Sequence, residues 1–100
     1  RDARRELATS ELARGGYAEA QALLEPLIAE YVARYGEEDT HTIGARVTLA
    51  VLNNERENYA ESARILMPLL PQVERVYGPD HPRTLVVVMN LGSAIRYQKR

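Results

Sequence analysis

The side chains of this sequence that could do chemistry are few and widely spaced. His41 and His81 are the only histidines, and the chain contains no cysteine. Neither histidine belongs to a His-Glu-x-x-His motif, so imidazole and thiolate ligands do not occur at the spacing of a zinc site. Ser10, Ser62 and Ser93 have no strand-turn-helix setting that would expose a nucleophile. We therefore predict that the protein is not an enzyme and that it uses no metal or cofactor.

The glycines and the second histidine are better explained by helix ends than by a binding loop. Gly15 and Gly16 are not followed by the Lys-Ser or Lys-Thr pair that completes a phosphate-binding loop. His81 lies in a Gly-Pro-Asp-His-Pro turn, where we expect it to cap a helix rather than to bind a metal.

Composition excludes several classes of partner. The chain has 100 residues, of which 45% are hydrophobic and 27% charged, with a formal net charge of -1. These values fit one compact domain and argue against a dedicated nucleic-acid or membrane surface. No apolar run approaches the ~20 residues of a membrane span, and no signal peptide is recognisable. We expect a cytoplasmic protein, and we interpret the chain as a piece of a longer one because it lacks an initiator methionine.

An internal repeat organises the whole sequence. A shift of 42 residues carries 16–20 onto 58–62, 24–27 onto 66–69, 35–36 onto 77–78 and Thr42 onto Thr84, with 15 of the 58 aligned pairs identical. A fixed period of this length indicates stacked supersecondary units, none of which buries its apolar face alone.

The spacing of apolar residues within each unit is helical. It predicts five helices, over about residues 2–14, 17–35, 41–56, 59–77 and 83–98. The run Val86-Val87-Val88 would favour a strand by itself. We predict helix there, because the repeat aligns this run with residues 44–46 of a helical unit. Pro26 and Pro68 share one position inside the second helix of each unit and predict a bend in both helices.

These features resemble a known repeat family. The segment Gly-Pro-Asp-His-Pro-Arg-Thr-Leu at 78–85, the Tyr-Ala-Glu that opens helices at Tyr17 and Tyr59, and the 42-residue period are similar to tetratricopeptide repeats of the kinesin-light-chain type, which also occur in large bacterial regulators. Small residues match the family at Ala20 and Ser62. Arg4 and Arg46, and Glu11 and Asn53, stand where the family has apolar residues.

The resemblance implies an all-α fold, a right-handed superhelical solenoid of antiparallel helix pairs. On this interpretation residues 1–100 form a single domain with one repeat over 1–42, a second over 43–84 and a partial third over 85–100.

The resemblance also implies a binding groove, on the concave side lined by the first helix of each repeat. Carried over residue by residue, its positions are Asp2, Arg5, Glu6, Thr9, Leu12, Gly44, Val47, Thr48, Val51, Asn54, Glu55, Val86, Met89, Asn90, Ser93, Arg96 and Tyr97. Val47, Val51, Val86 and Met89 would form an apolar floor, with Thr48, Asn90 and Ser93 as hydrogen-bonding groups beside it. This combination suits a peptide with apolar anchors and differs from the clamp that holds a terminal carboxylate in chaperone-binding members.

The last helix has no second helix of its own unit to pack against. We expect an unpartnered apolar face there, formed by Val87, Leu91, Ala94 and Ile95. A continuation of the chain, a second copy forming a homodimer, or a bound partner could cover it.

Function is therefore expected to be protein–protein interaction, with a peptide or a helix bound in the groove. Two alternatives remain open: an architectural or self-association element, and the sensor arm of a larger kinase or nucleotide-dependent regulator.

Overall fold

The computed structural model describes residues 3–98, and all of the regular secondary structure in that range is α-helical. Its helices are α1 (Ala3–Ala13), α2 (Tyr17–Tyr35), α3 (Thr40–Glu55), α4 (Tyr59–Tyr77) and α5 (Pro82–Gln98). The predicted all-helical class is confirmed, and every predicted helix end lies within one residue of the observed one. The valine run at 86–88 is helical as predicted. Asp2, a predicted groove residue, lies outside the described residues.

Helix α3 is the central element of the packing. Each helix packs against the next one in the chain, and α3 also contacts α1 and α5, whereas α2 and α4 do not meet. Ala45 and Leu52 of α3 belong to a first hydrophobic core with α1 and α2. Ile43 and Ala50 belong to a second core with α4 and α5. The two cores therefore share one helix and use different faces of it.

The turn that follows α2 is repeated after α4. Gly36 has φ 97° and ψ 170°, and Gly78 has φ 93° and ψ 158°. Only glycine adopts this region readily, which explains why both helices end in Tyr-Gly. The hydroxyls of Thr42 and Thr84 donate to the carbonyls of Gly36 and Gly78, each at 2.7 Å. Both threonines are buried, so each hydrogen bond satisfies a hydroxyl and a helix-end carbonyl together.

The helices that follow these turns are capped by residues at equivalent repeat positions. The Asp39 carboxylate accepts from the backbone N–H of His41 at 2.8 Å, and His81 Nδ1 accepts from the backbone N–H of Arg83 at 3.0 Å. The capping role predicted for His81 is thus confirmed. Hydrogen bonds from the His41 backbone and ring lower the pKa of the Asp39 carboxyl. Because the pKa is lowered on folding, the cap stabilises above the ordinary pKa of aspartate and is lost as pH falls through the lowered value.

A second kind of turn links α1 to α2 and α3 to α4. The N–H of Gly16 donates to the carbonyl of Glu11 at 2.6 Å, and the N–H of Asn58 donates to the carbonyl of Asn53 at 2.7 Å. This closure requires a residue with positive φ just before the donor. Gly15 fills that position in the first unit with φ 83°, and Glu57 fills it in the second with φ 62°.

Polar residues at positions where the tetratricopeptide resemblance leads us to expect apolar ones have partners within the fold. Asn53 is 3% exposed, donates to the carbonyl of Leu49 at 2.9 Å and accepts from the Asn58 amide at 3.1 Å. Arg4 forms an ion pair with Glu30, and Arg46 forms one with Glu37 at 2.6 Å.

Small residues mark the close approach within each pair of helices. Ala20 and Ser62 occupy the same repeat position and both have 0% exposure, as their similarity to the family predicts. The Ser62 hydroxyl has no hydrogen-bond partner. Helices α2 and α4 both continue through their prolines, at Pro26 and at Pro68 and Pro71, and the bend remains a prediction.

Replacing Glu57 with glycine should stabilise the protein. The left-handed conformation costs a non-glycine residue about 1 kcal/mol, so Glu57→Gly should raise the urea midpoint of unfolding. Glu74→Gly is the matched control, since Glu74 is exposed inside α4 and glycine there should destabilise by about 1 kcal/mol. Equal losses of stability in both variants would show that the left-handed backbone conformation of Glu57 does not destabilise the protein.

Removing the Ser62 hydroxyl should also stabilise the protein, by about 1 kcal/mol, because a buried group without a partner loses its hydrogen bonds to water on folding. Thermal unfolding of Ser62→Ala, compared with the reciprocal Ala20→Ser, measures the effect. The two substitutions should change the unfolding temperature in opposite directions. A lower unfolding temperature for Ser62→Ala would indicate that the Ser62 hydroxyl does have a hydrogen-bond partner.

Candidate functional site

All the predicted groove residues within the described range lie on α1, α3 and α5, which contact one another in that order. The contact between α1 and α3 is made in part by Arg5. Its guanidinium lies so close to Gly44 that a Cβ at Gly44 would collide with it. Gly44 is therefore not a ligand-facing position, since its surface is occupied by the Arg5 side chain.

The contact between α3 and α5 contains a pair of asparagines. The Asn54 amide donates to the Asn90 carbonyl at 3.1 Å and lies 3.2 Å from the Asn90 side-chain oxygen. The Asn54 side-chain oxygen is buried and has no partner. These two predicted groove residues are thus brought together, and they join the two helices to each other.

Several polar groove residues bind their own helix. Thr9, Thr48 and Asn90 each donate to the backbone carbonyl four residues earlier, at 3.0, 3.0 and 2.9 Å respectively. The repeat explains the last two, because Thr48 and Asn90 are separated by one period. Donors engaged in this way are less available to a ligand than the sequence suggests.

The apolar floor divides into a partly buried half and an exposed half. Val47 and Val51 on α3 are half-buried, and Val47 packs against the second core. On α5, Val86 is 39% exposed and Met89 is 70% exposed. The accessible apolar surface of the predicted groove is therefore concentrated on α5.

The other predicted groove residues of α5 lie toward the end of that helix. Ser93 is half-buried and Arg96 is exposed. Tyr97 contacts Tyr59 at the start of α4, with ring centroids 5.5 Å apart, and the Arg96 guanidinium lies over the Tyr97 ring at 5.6 Å. Tyr97 thus contributes to the packing of α5 on α4.

The predicted unpartnered face of α5 requires a correction. Val87 and Ala94 are completely buried, and Leu91 packs against the second core. They are covered because α4 and α3 lie against this side of the helix. Of the four residues only Ile95 is exposed, at 43%.

A different row of α5 residues is exposed instead. We call it the outer stripe; its members follow one another at intervals of three or four residues and so share one helix face, and they are Leu85, Val88, Gly92 and Ile95. Two of their counterparts one period earlier are fully covered. Ile43 and Ala50, which correspond to Leu85 and Gly92, have 0% exposure and lie in the second core.

A cleft between α2 and α4 was not predicted from the sequence. It has a volume of about 520 Å³, and its floor includes Leu49 of α3. Arg46 and Gln72 line it, and the Gln72 side-chain oxygen is buried without a partner. One period earlier the corresponding residues are Arg4 and Glu30, which form an ion pair. The neutral Gln72 offers Arg46 no such partner, and Arg46 pairs with Glu37 instead.

The rim of this cleft carries a second ion pair. Arg64 and Glu61, one helical turn apart on α4, lie together at its edge. The hydrogen bond from Arg64 lowers the pKa of the Glu61 carboxyl. Both arginines that line the cleft are thus paired with glutamates, whereas Glu25 accepts a hydrogen bond from the neutral Gln21 amide at 2.9 Å.

Membrane-spanning helices and groups of metal-ligating side chains are both absent from residues 3–98. None of the helices there has the length and apolar character needed to cross a membrane. No group of three or more His, Cys, Asp or Glu side chains in that range is arranged to hold a metal ion.

Comparison with known proteins gives no indication of function. No family model, curated protein or solved structure matches the chain.

Proposed function

We propose that the protein is an interaction module, a right-handed solenoid of antiparallel helix pairs that holds a peptide or a partner helix against α1, α3 and α5. The order of the helix contacts supports this arrangement. Each helix packs on the next, and contacts between non-consecutive helices are limited, among the described residues, to those of α3 with α1 and with α5.

The observation that carries the proposal is the exposed apolar surface of α5. Met89 exposes 70% of its surface and Val86 exposes 39%, beside the half-buried Val47 and Val51 of α3. Burying such side chains against apolar groups of a ligand is favourable by roughly 25 cal/mol per Å². Methionine is also suited to varied partners, because its side chain is flexible and polarisable.

The proposed ligand is a peptide with apolar anchor residues. Thr48 and Asn90 already donate to their own helices, so affinity must come chiefly from apolar burial. Their oxygen atoms can still accept hydrogen bonds from a peptide backbone.

A charge at Met89 should abolish peptide binding. Peptides selected from a random display library against the wild-type protein should bind Met89→Glu at least about tenfold more weakly, because the substitution places a charge against an apolar anchor. Met67→Glu is the matched control, since Met67 is 61% exposed on α4 and outside the groove. Fluorescence anisotropy gives the affinities. Equal binding by wild type and Met89→Glu would exclude this groove.

A second function, self-association, is favoured by the outer stripe. Its counterparts Ile43 and Ala50 are fully buried, whereas Leu85, Val88 and Ile95 are 47, 45 and 43% exposed. The stripe is self-complementary, because Gly92 lies between Val88 and Ile95. A two-fold axis near Gly92 would let two antiparallel copies of α5 approach closely, with Val88 of each copy facing Ile95 of the other.

Sedimentation velocity tests this second function. The wild-type protein should sediment as a dimer at high concentration, and Val88→Glu should sediment as a monomer because paired charges would be buried at the contact. Val76→Glu should remain dimeric, since Val76 is 39% exposed on α4 and lies apart from the stripe. A wild-type protein that is monomeric at every concentration would rule out self-association through α5.

A further inference from the structure

A cleft of about 380 Å³ lies where the two Tyr-Gly turns approach α1. Its lining comes from four helices and one turn, and consists of Arg5, Thr40, His41, Tyr77, His81 and Arg83. Apart from Arg5, none of these residues belongs to the predicted groove or to the outer stripe.

Among the described residues, the lining contains two arginines, two histidines and no carboxylate. The chain as a whole has a formal net charge of -1. Five of the ten arginines in residues 3–98 form ion pairs, which are Arg4–Glu30, Arg14–Glu11, Arg46–Glu37, Arg64–Glu61 and Arg75–Glu38. Arg34, Arg56 and Arg96 form no ion pair with a described carboxylate, but none of them lines this cleft. Among residues 3–98, no carboxylate forms an ion pair with Arg5 or Arg83. The cleft therefore brings together two arginines that no carboxylate among the described residues pairs with.

Both arginines are held in place by neighbours that are not acidic. The Arg5 guanidinium lies against Gly44, which has no side chain to displace it. The Arg83 guanidinium lies over the Tyr77 ring at 5.5 Å from its centroid, and donates to the Tyr77 hydroxyl at 3.5 Å. These contacts restrict the two side chains while leaving guanidinium N–H groups without acceptors among residues 3–98.

His81 adds a third donor. Its Nδ1 accepts from the backbone N–H of Arg83 at 3.0 Å, so in the neutral ring the proton is on Nε2. The Tyr77 and His81 rings are 4.7 Å apart, which fixes the imidazole beside the Arg83 side chain. The other histidine, His41, already contacts an acidic group. Its Nδ1 lies 2.7 Å from a carboxylate oxygen of Asp39.

We propose that this cleft binds a phosphate monoester, with the Arg5 and Arg83 guanidinium groups and His81 Nε2–H as donors. Guanidinium groups recognise phosphate through paired N–H···O hydrogen bonds. The two guanidinium groups come from separate helices and the third donor from the turn before α5, so that the cleft offers several N–H groups to the oxygens of a dianionic phosphate. The ligand class is therefore a phosphorylated small molecule or a phosphorylated side chain, which present the same group.

The test is a titration of the intact protein with inorganic phosphate, followed by NMR of the arginine side-chain N–H and histidine ring signals. Saturable shifts should occur at Arg5, Arg83 and His81. Arg5→Gln and Arg83→Gln should each weaken binding about tenfold, the scale of one lost charge-assisted hydrogen-bonded contact. O-phosphoserine and a phosphoserine peptide form two further arms, and tighter binding of one of them identifies the source of the phosphate.

Arg34→Gln is the matched control, because the Arg34 guanidinium also lies over a tyrosine ring, that of Tyr35 at 5.6 Å, but outside this cleft. It should bind phosphate like the wild type. Circular dichroism checks that every variant remains helical, and Arg83→Lys, which keeps the charge but loses the paired N–H groups, should bind with intermediate affinity. Unsaturable shifts, or an equal loss in Arg34→Gln, would overturn the proposal by showing only general attraction to a positive surface.

Discussion

The hydrogen bond from a buried threonine to a glycine carbonyl sets the geometry on which the rest of this protein depends. Thr42 donates to Gly36 and Thr84 donates to Gly78, both at 2.7 Å. A buried hydroxyl or helix-end carbonyl without a partner would destabilise the fold. Each bond therefore ties the beginning of one helix to the end of the previous one, and the same tie occurs once in each unit. The positions of α3 and α5 follow from it.

This hydrogen bond gives α3 and α5 the same position relative to the preceding turn. The surroundings of the two helices nevertheless differ. Helix α3 lies between two cores, which cover Ala45 and Leu52 on one side and Ile43 and Ala50 on the other. Helix α5 borders only the second core. Its remaining faces carry Val86, Met89 and the outer stripe into solvent, although the same repeat positions on α3 are buried or half-buried. The surfaces proposed for interaction are thus a direct consequence of where the second core ends.

The arginines of the protein also differ in what surrounds them. Arg4 and Arg46 stand at positions where tetratricopeptide repeats, which the sequence resembles, have apolar residues. Arg4 is neutralised by Glu30, and Arg46 is neutralised by Glu37. Arg5 and Arg83 are instead held by a glycine surface and a tyrosine ring. Position and neighbour, more than residue type, decide whether an arginine is part of the packing or is available to an anion.

The sequence by itself determined the five helices, their ends and the buried small residues, because these depend on signals within a few residues and on a repeat that reinforces them. Alignment with residues 44–46 was enough to predict helix for the valine run at 86–88. The role of His81 as a cap followed from its turn in the same way.

Only the tertiary structure decided which face of α5 is covered. Val87, Leu91 and Ala94 look as apolar in the sequence as Val88 and Ile95, and periodicity does not say which neighbour covers each row. The internal hydrogen bonds of Thr48 and Asn90 and the cleft around Arg5 and Arg83 were equally invisible in the sequence. Such features depend on the approach of residues far apart in the chain, and that approach is fixed by helix packing.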